Sequence, residues 1–226
     1  MSTQLGFDLP SRAALERDAF FVAPSNAMAL AMIDGWQAWA GRKLALCGPV
    51  GAGKTHLAHV WAEMAGARIV SALDVTADTV PELATTHVAV EDIPQIAGNQ
   101  DAQTALFHLH NLTLAEGHSL LLTGAAPVQH WGLSLPDLVS RLQGTTAVTL
   151  DPPDDALLSA LLVKLLADRQ LTPKPDLIPY LLTRIDRSFA SAISVIEQLD
   201  TASLALKRPV TRALAVQTLD KDPSDT

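Results

Sequence analysis

The sequence predicts an α/β fold, in which a parallel sheet carries helices on both faces and is followed by a smaller all-helical domain. Short, fully apolar runs alternate with segments of helical periodicity as far as about residue 151, as expected for buried parallel strands. Beyond that point only helical periodicity remains. A glycine-rich stretch, GPVGAGKT at 48–55, also lies between a predicted strand and a predicted helix.

The elements of the α/β part follow in order along the chain. A first helix is expected from Ser25, ended by Gly41, with Met28, Ala31, Met32 and Trp36 on its apolar face. Strands are predicted at 43–48, 67–72, 87–92, 119–124 and 145–150, with helices at 56–64 and 101–116 between them. This alternation favours a doubly covered parallel sheet.

The character of the chain changes at LDPPDD, residues 150–155. Prolines and acids end the last strand and suit the first turn of a helix, where the macrodipole favours negative charge. Two leucine-rich or isoleucine-rich helices are predicted beyond it, with stripes at 157–166 and 189–199, and a shorter helix at 177–183. We therefore predict a tail at 1–19, an αβα domain at 20–151 and a helical domain at 152–226.

The composition restricts the classes of function. The 226-residue chain has 16 Lys and Arg against 24 Asp and Glu, giving a net charge of −8. An acidic surface without a basic cluster disfavours direct, sequence-specific DNA binding. A single cysteine, Cys47, excludes an internal disulfide, and no signal peptide or 18-residue apolar stretch is present. We expect a cytoplasmic protein that does not enter the membrane.

The stretch at 48–55 matches the phosphate-binding P-loop pattern in full. Its glycines let backbone N–H groups face phosphate oxygens, the lysine adds positive charge, and the threonine hydroxyl reaches Mg²⁺. A glycine turn that merely caps a helix would not require the lysine and threonine. The candidate nucleotide-binding residues are Gly48, Pro49, Gly51, Ala52, Gly53, Lys54, Thr55 and His56. For His56, a solvated position on the helix is the alternative.

A second apolar strand, VAVED at 88–92, ends in two carboxylates. Carboxylates at a strand end beside a P-loop hold Mg²⁺ or orient an attacking water. We assign Glu91 to the metal, together with Thr55, and Asp92 to the water. The alternative is a polar strand end that faces solvent.

Several ordered motifs give the sequence a specific resemblance. GKTHLA (53–58), FFVAPSNAMA (20–29), LLLTG (120–124) and GLSLPDLVSRL (132–142) together resemble the DnaA branch of the AAA+ ATPases, and most closely its Hda family of replication regulators. The resemblance implies an AAA+ P-loop NTPase fold with a C-terminal helical lid. It also implies ADP or ATP with Mg²⁺ as cofactors, and a role in stimulating ATP hydrolysis by DnaA.

The resemblance assigns further residues. Arg141 in SRL is similar to the arginine finger that acts on a neighbouring subunit's nucleotide, with a solvated helix end as the alternative. Phe21 and Val22 lie in the stretch expected to contact adenine, although simple packing also explains it. Two positions depart from the family, because Ala125 and Ala190 stand where γ-phosphate-sensing polar residues are expected. These departures predict weak intrinsic hydrolysis.

The tail carries QLGFDLP at 4–10, which resembles the peptide that binds the bacterial sliding clamp. By that resemblance Gln4 bonds the pocket rim while Leu5, Phe7 and Leu9 fill apolar pockets. The alternative is a tail packed on its own domain. The expected partners are DnaA and the clamp, with a homo-oligomer left open. A helicase-loader-like ATPase or adaptor and a P-loop small-molecule kinase remain rival functions.

Overall fold

A computed structural model of the 226-residue chain describes residues 23–219. The α/β part contains, in order, α1 (Ala27–Asp34), β1 (Lys43–Cys47), α2 (Lys54–Ala65), β2 (Arg68–Ser71), α3 (Val80–Leu83), β3 (Val88–Glu91), α4 (Gln100–Ala115), β4 (Leu120–Gly124), α5 (Pro136–Gln143) and β5 (Thr146–Thr149). The lid contains α6 (Asp155–Asp168), α7 (Leu177–Leu182), α8 (Phe189–Leu206) and α9 (Arg212–Leu219).

The five strands form one parallel sheet in the order β2-β3-β4-β1-β5. All the crossovers are made through helical segments, as parallel pairing requires. Because the strands run in the same direction, the residues that follow β1, β3 and β4 meet at one edge of the sheet. This edge, which we call the carboxyl edge, holds the P-loop and the ends of β3 and β4. The predicted parallel α/β fold is confirmed.

Apolar side chains cover both faces of the sheet. On one face Val88, Val90, Leu120 and Leu122 pack with α4, and on the other Leu44, Leu46, Ala89 and Leu121 pack with α1 and α2. Alternate residues of one strand therefore serve opposite cores, which explains why these strands are apolar throughout rather than alternating. The resulting rigidity fixes the carboxyl edge on which the candidate site lies.

The predicted apolar face of the first helix is wrong. Helix α1 ends at Asp34 and buries Ala29, Leu30 and Ile33, whereas Met28 is 68% exposed. The chain then forms two short 3₁₀ turns before β1, so helical spacing does not continue to Trp36. Trp39 instead turns inward, where its indole donates to the Met32 carbonyl at 2.7 Å and its ring stacks on Trp61. That tertiary contact, rather than helix periodicity, decides which side chains are buried.

The lid is a separate small helical core. All six leucines of the predicted first stripe are buried, on α6, and Ile196 and Leu199 of the second stripe are buried on α8. They pack with α7 and α9, and the buried side chains include Leu177, Tyr180, Leu181, Val210 and Leu214. Helices α3, α5 and α9 are additional to those the periodicity predicts. Within residues 23–219, no helix combines the length and the apolarity needed to cross a membrane.

Candidate functional site

The P-loop connects β1 to α2 at the carboxyl edge of the sheet. Gly51 and Gly53 adopt φ values of +78° and +97°, in the left-handed region that favours glycine. Helix α2 begins at Lys54, directly after this turn. The N–H groups of its first turn and its positive dipole end therefore lie beside the loop, an arrangement that binds phosphate groups.

Lys54 is held inside the curve of the loop. Its side chain is only 8% exposed, and its Nζ donates to the carbonyl oxygens of Gly48 at 2.7 Å and Pro49 at 2.9 Å. Burial lowers the pKa of Lys54, while the nearby charges of Asp92, Cys47 and Glu91 act in the opposite direction. An ammonium group in this position can exchange its carbonyl acceptors for phosphate oxygens, a stronger pairing.

The two predicted carboxylates lie at the same edge. Glu91 ends β3, and its Oε1 atom is buried without a hydrogen-bond partner among residues 23–219. Asp92 follows in the left-handed region with φ +57°, and its backbone N–H donates to the Thr123 hydroxyl of β4 at 3.0 Å. Its carboxylate is exposed. The structure thus brings Lys54, Glu91 and Asp92 together, with Glu91 turned inward and Asp92 outward.

The donor set fits magnesium only together with a nucleotide. A buried carboxylate oxygen such as Glu91 Oε1 needs a cation or a donor, and Mg²⁺ or its bound water supplies one. The Thr55 side chain is exposed in the first turn of α2, where its hydroxyl can serve as a second ligand. Among residues 23–219 no group of three or more His, Cys, Asp and Glu residues can hold a metal alone. Phosphate oxygens would have to complete the shell.

The lid contacts the P-loop directly, through two residues that the motifs did not identify. The N–H of Phe189, the first residue of α8, donates to the Gly51 carbonyl at 3.0 Å. A Cβ atom on Gly51 would lie 2.2 Å from Ser188 Cβ, and one on Gly53 would lie 3.3 Å from the Phe189 ring. Glycine at 51 is therefore needed both for the backbone turn and for the approach of the lid. No sequence pattern signals this packing.

His56 faces the lid. Its ring centroid lies 6.4 Å from that of Phe189. Burial, followed by the positive charges of His59 and Lys164, lowers the pKa of His56 to about 4. The imidazole is therefore neutral at pH 7 and contributes no charge to phosphate binding.

Alanine stands at both positions where the sequence departs from the pattern of the Hda family, so neither position presents a cation at the site. Ala125 is exposed just after β4, and Ala190 is exposed in the first turn of α8. Arg187 lies next to Ser188 but forms an ion pair with Asp155 at 2.9 Å, with both side chains well exposed. A solvent-exposed ion pair stabilises a fold by only about 0–1 kcal/mol. The contact with Asp155 would therefore not keep Arg187 from binding an anion.

Arg141 lies far from its own chain's P-loop. It is exposed in the last turn of α5, and its carbonyl oxygen accepts a hydrogen bond from Lys43 Nζ at 2.7 Å. Lys43 is the first residue of β1, whereas the P-loop follows Cys47, the last one. At ~3.3 Å per residue the two ends of this strand are about 13 Å apart. The structure therefore places Arg141 at the opposite edge, which we call the amino edge.

The comparisons with known proteins agree with this architecture. Residues 154–219 match the family described as Hda, lid domain. The fold resembles domain III of the Thermotoga maritima replication initiation protein DnaA, with a TM-score of 0.78 and 20% identity over 93% of this chain and 97% of that one. The chain has the fold of DnaA domain III, and its lid segment is similar to that of the Hda family. The predicted AAA+ fold with a helical lid is thereby confirmed.

Longer proteins share the fold of this chain. AMPPCP-bound DnaA from Aquifex aeolicus has a TM-score of 0.69 and 21% identity, over 85% of this chain and 67% of that one. The Thermotoga maritima RuvB Holliday junction branch migration motor has a TM-score of 0.70 and 17% identity, over 91% and 71%. At these identities the likeness establishes the fold, and the function has to be argued from the site.

Some predicted site residues lie outside the described range. These are Phe21 and Val22, assigned to adenine, and Gln4, Leu5, Phe7 and Leu9, assigned to the sliding clamp. The described chain begins beside the carboxyl edge, since the Ser25 carbonyl accepts from the N–H of Asp151, just after β5. The adenine and clamp assignments stay predictions.

Glu91→Gln provides a test of the magnesium assignment. We expect this variant to lose most of the Mg²⁺-dependent part of its thermal stabilisation by ADP, because a neutral amide is a much weaker metal ligand than a carboxylate. Melting temperatures with ADP, measured once with Mg²⁺ and once with EDTA, separate the Mg²⁺-dependent stabilisation from the stabilisation by ADP alone. Glu63→Gln, on the exposed side of α2, is the matched control, and an undiminished Mg²⁺ increment in Glu91→Gln would contradict the assignment.

Proposed function

We propose that this chain is an Hda-like AAA+ regulator, which binds ADP or ATP with Mg²⁺ and controls the initiation of DNA replication by stimulating ATP hydrolysis by DnaA. The observation that carries the proposal is the position of Arg141, exposed at the amino edge and far from its own P-loop. A guanidinium placed there can act only on a nucleotide bound by another protein. Nucleotide bound by the chain itself would then serve as a structural and signalling ligand.

The nucleotide part of the proposal rests on three features of the carboxyl edge. A P-loop with left-handed glycines precedes a helix, a buried lysine lies inside its curve, and a buried carboxylate oxygen of Glu91 lies beside it. The solved DnaA from Aquifex aeolicus that shares the fold is bound to AMPPCP, an ATP analogue. Adenine nucleotide is therefore the ligand class we propose, with Lys54 on the phosphates and Thr55 and Glu91 toward Mg²⁺.

The chain's own hydrolysis is proposed to be weak. Catalysis of phosphoryl transfer depends on cations that stabilise charge on the γ-phosphate. Alanine occupies both sensor positions, 125 and 190, so neither position supplies a cation. Asp92 can still orient a water, but the developing charge would be poorly balanced. A resident ADP and a partner that hydrolyses ATP fit these residues better than rapid turnover in the chain itself.

We propose that the tail brings the protein to the replication machinery in the bacterial cytoplasm. Gln4, Leu5, Phe7 and Leu9 would bind the sliding clamp of DNA polymerase III. Each apolar side chain buried in such a complex is worth about 1.5–3 kcal/mol before the cost of ordering the peptide. A reversible tether is the expected result.

Alanine at both Leu5 and Phe7 tests the tether. We expect binding to purified clamp to weaken by at least about tenfold, since a loss of only about 1.4 kcal/mol already has that effect. The measurement is a titration of immobilised clamp with the full chain in the presence of ADP. Leu15→Ala, which changes an apolar residue of the same tail outside the peptide, is the control.

The same variants distinguish this function from a loader or adaptor. With clamp loaded on DNA, the Leu5 and Phe7 double variant should need a much higher protein concentration to stimulate hydrolysis by DnaA. At a sufficiently high concentration it should reach the full stimulated rate. Equal clamp affinity for the double variant and Leu15→Ala would remove the tail from the proposal. Clamp binding without any stimulation by the intact chain would favour an adaptor.

A further inference from the structure

Lys43 connects three elements at the amino edge. It is the first residue of β1, and its Nζ donates to the Arg141 carbonyl of α5 at 2.7 Å. The same Nζ lies 3.4 Å from Nε2 of His110 on α4. Lys43 is half-buried, so its stem packs inside while the ammonium is held between two helices.

His110 gives the ammonium a fixed acceptor. Its side chain is only 3% exposed, and burial lowers its pKa to about 4, so the imidazole is neutral at pH 7. Its Nδ1 lies 3.2 Å from Oδ1 of Asn111, which can only accept. The proton therefore sits on Nδ1, and Nε2 is free to accept from Lys43. This chain of contacts fixes the lysine before any partner approaches.

The contact with Arg141 is made at the end of its helix. Helix α5 has only eight residues, and Arg141 is in its last turn. The last carbonyls of a helix have no partner within it, and a cation placed there is favoured by the dipole. The Thr145 hydroxyl donates to the same Arg141 carbonyl at 3.2 Å, but it is neutral. Lys43 supplies the charged contact that ties this turn to the sheet.

Arg42, the neighbouring cation, binds the end of a different helix, α4. Arg42 precedes Lys43, and its Nη2 donates to the carbonyl of Leu114 near the end of α4. Two adjacent cations thus bind the carboxyl ends of two helices: Arg42 binds that of α4, and Lys43 binds that of α5. Of these two helices only α5 carries Arg141. The chain itself therefore offers a matched control, in which the same kind of contact is removed from the helix without the arginine.

We propose that Lys43 is a positioning residue for Arg141, holding the last turn of α5 against β1 so that the guanidinium points at the partner's nucleotide. This inference rests on the proposed role of Arg141 in stimulating hydrolysis by DnaA. Lys43 does not touch the nucleotide. It lowers the freedom of the turn from which the arginine projects, and a small misplacement of a catalytic group is costly, about a hundredfold in rate for 1 Å.

The test compares Lys43→Met, Lys43→Arg and Arg42→Met in the full chain, with clamp loaded on DNA and ATP-bound DnaA. Methionine keeps an unbranched stem and removes the donor, whereas arginine retains one. We expect Lys43→Met to lower the maximal stimulated rate by about tenfold to a hundredfold, without raising the protein concentration that gives half of that maximum. Lys43→Arg should restore most of the rate, and Arg42→Met should behave like the unchanged protein.

The outcomes separate this inference from the function on which it rests. An inactive Arg141→Ala beside a fully active Lys43→Met would overturn the positioning role and leave the proposed function standing. A fully active Arg141→Ala would overturn the proposed function itself. A rise in the half-maximal concentration for Lys43→Met, with an unchanged maximal rate, would assign Lys43 to docking and contradict positioning. Equal losses of the maximal stimulated rate in Lys43→Met and Arg42→Met would also contradict it. The loss would then not depend on the contact with α5, the helix that carries Arg141.

Discussion

Arg141→Ala is expected to abolish stimulation of DnaA's ATPase while leaving clamp binding and ADP binding intact. An arginine supplied in trans to a transferring phosphoryl group contributes about 10³–10⁵ in rate. The side chain of Arg141 is exposed, so its truncation should cost the fold little. The effect should therefore appear almost entirely in the stimulated rate.

The expected loss follows from where the guanidinium acts. In the transition state negative charge spreads over the γ-phosphate oxygens, and a planar, doubly donating cation matches them. Arg141 is about 13 Å or more from the P-loop of its own chain, judged by the length of β1. The variant's own nucleotide affinity should consequently be unchanged. The measurement is release of phosphate from ATP-bound DnaA, with the variant titrated on DNA-loaded clamp.

Arg141→Lys is the sharper control. It keeps the charge and most of the length but loses the fork that binds two oxygens at once. We expect a partial activity, well below that of the unchanged chain and above that of alanine. Full stimulation by Arg141→Ala would exclude the arginine finger. Equal activity for lysine and arginine would mean that Arg141 acts only as a surface charge.

The P-loop and the sheet could be predicted because their signals are local. The residue types at 48–55 are required by the backbone turn and by phosphate chemistry, and β1 is apolar because both faces of the sheet are covered. The ends of β3 and β4 then meet the loop simply because parallel strands share an edge. Glu91 and Asp92 followed from that geometry without any knowledge of long-range contacts.

The remaining features depend on packing between distant segments. Nothing in the spacing of Met28 and Trp36 reveals that the helix stops at Asp34 and that Trp39 stacks on Trp61. The approach of Ser188 to Gly51 joins positions 137 residues apart. The hydrogen bond to Gly51 is donated by the backbone N–H of Phe189, a group that every non-proline residue has. Nothing in the sequence around His110 marks its partner Lys43, because Lys43 lies 67 residues away on another element.

Lys54→Ala is expected to abolish the thermal stabilisation of the chain by ADP. A ligand that binds only the folded state at about 100 times its Kd adds about 2.7 kcal/mol to the free energy of unfolding. For a chain of this size that corresponds to a rise of about 2–4 °C in melting temperature per kcal/mol. Without the ammonium, the phosphates would meet only backbone donors, and the Glu91 and Asp92 charges near Lys54 would repel them.

The quantity to compare is the shift caused by ADP, since the variant's melting temperature without ADP will itself differ. Lys54 Nζ satisfies the carbonyls of Gly48 and Pro49, and alanine removes both of these hydrogen bonds. Lys174→Ala, an exposed lysine of the lid, keeps the net charge equal to that of Lys54→Ala and should retain the full shift. An ADP shift in Lys54→Ala as large as that of the control would place the nucleotide elsewhere. Because the lid packs on Gly51 through Phe189, a true loss of binding at the P-loop should also remove any effect of ADP on the stability of the lid.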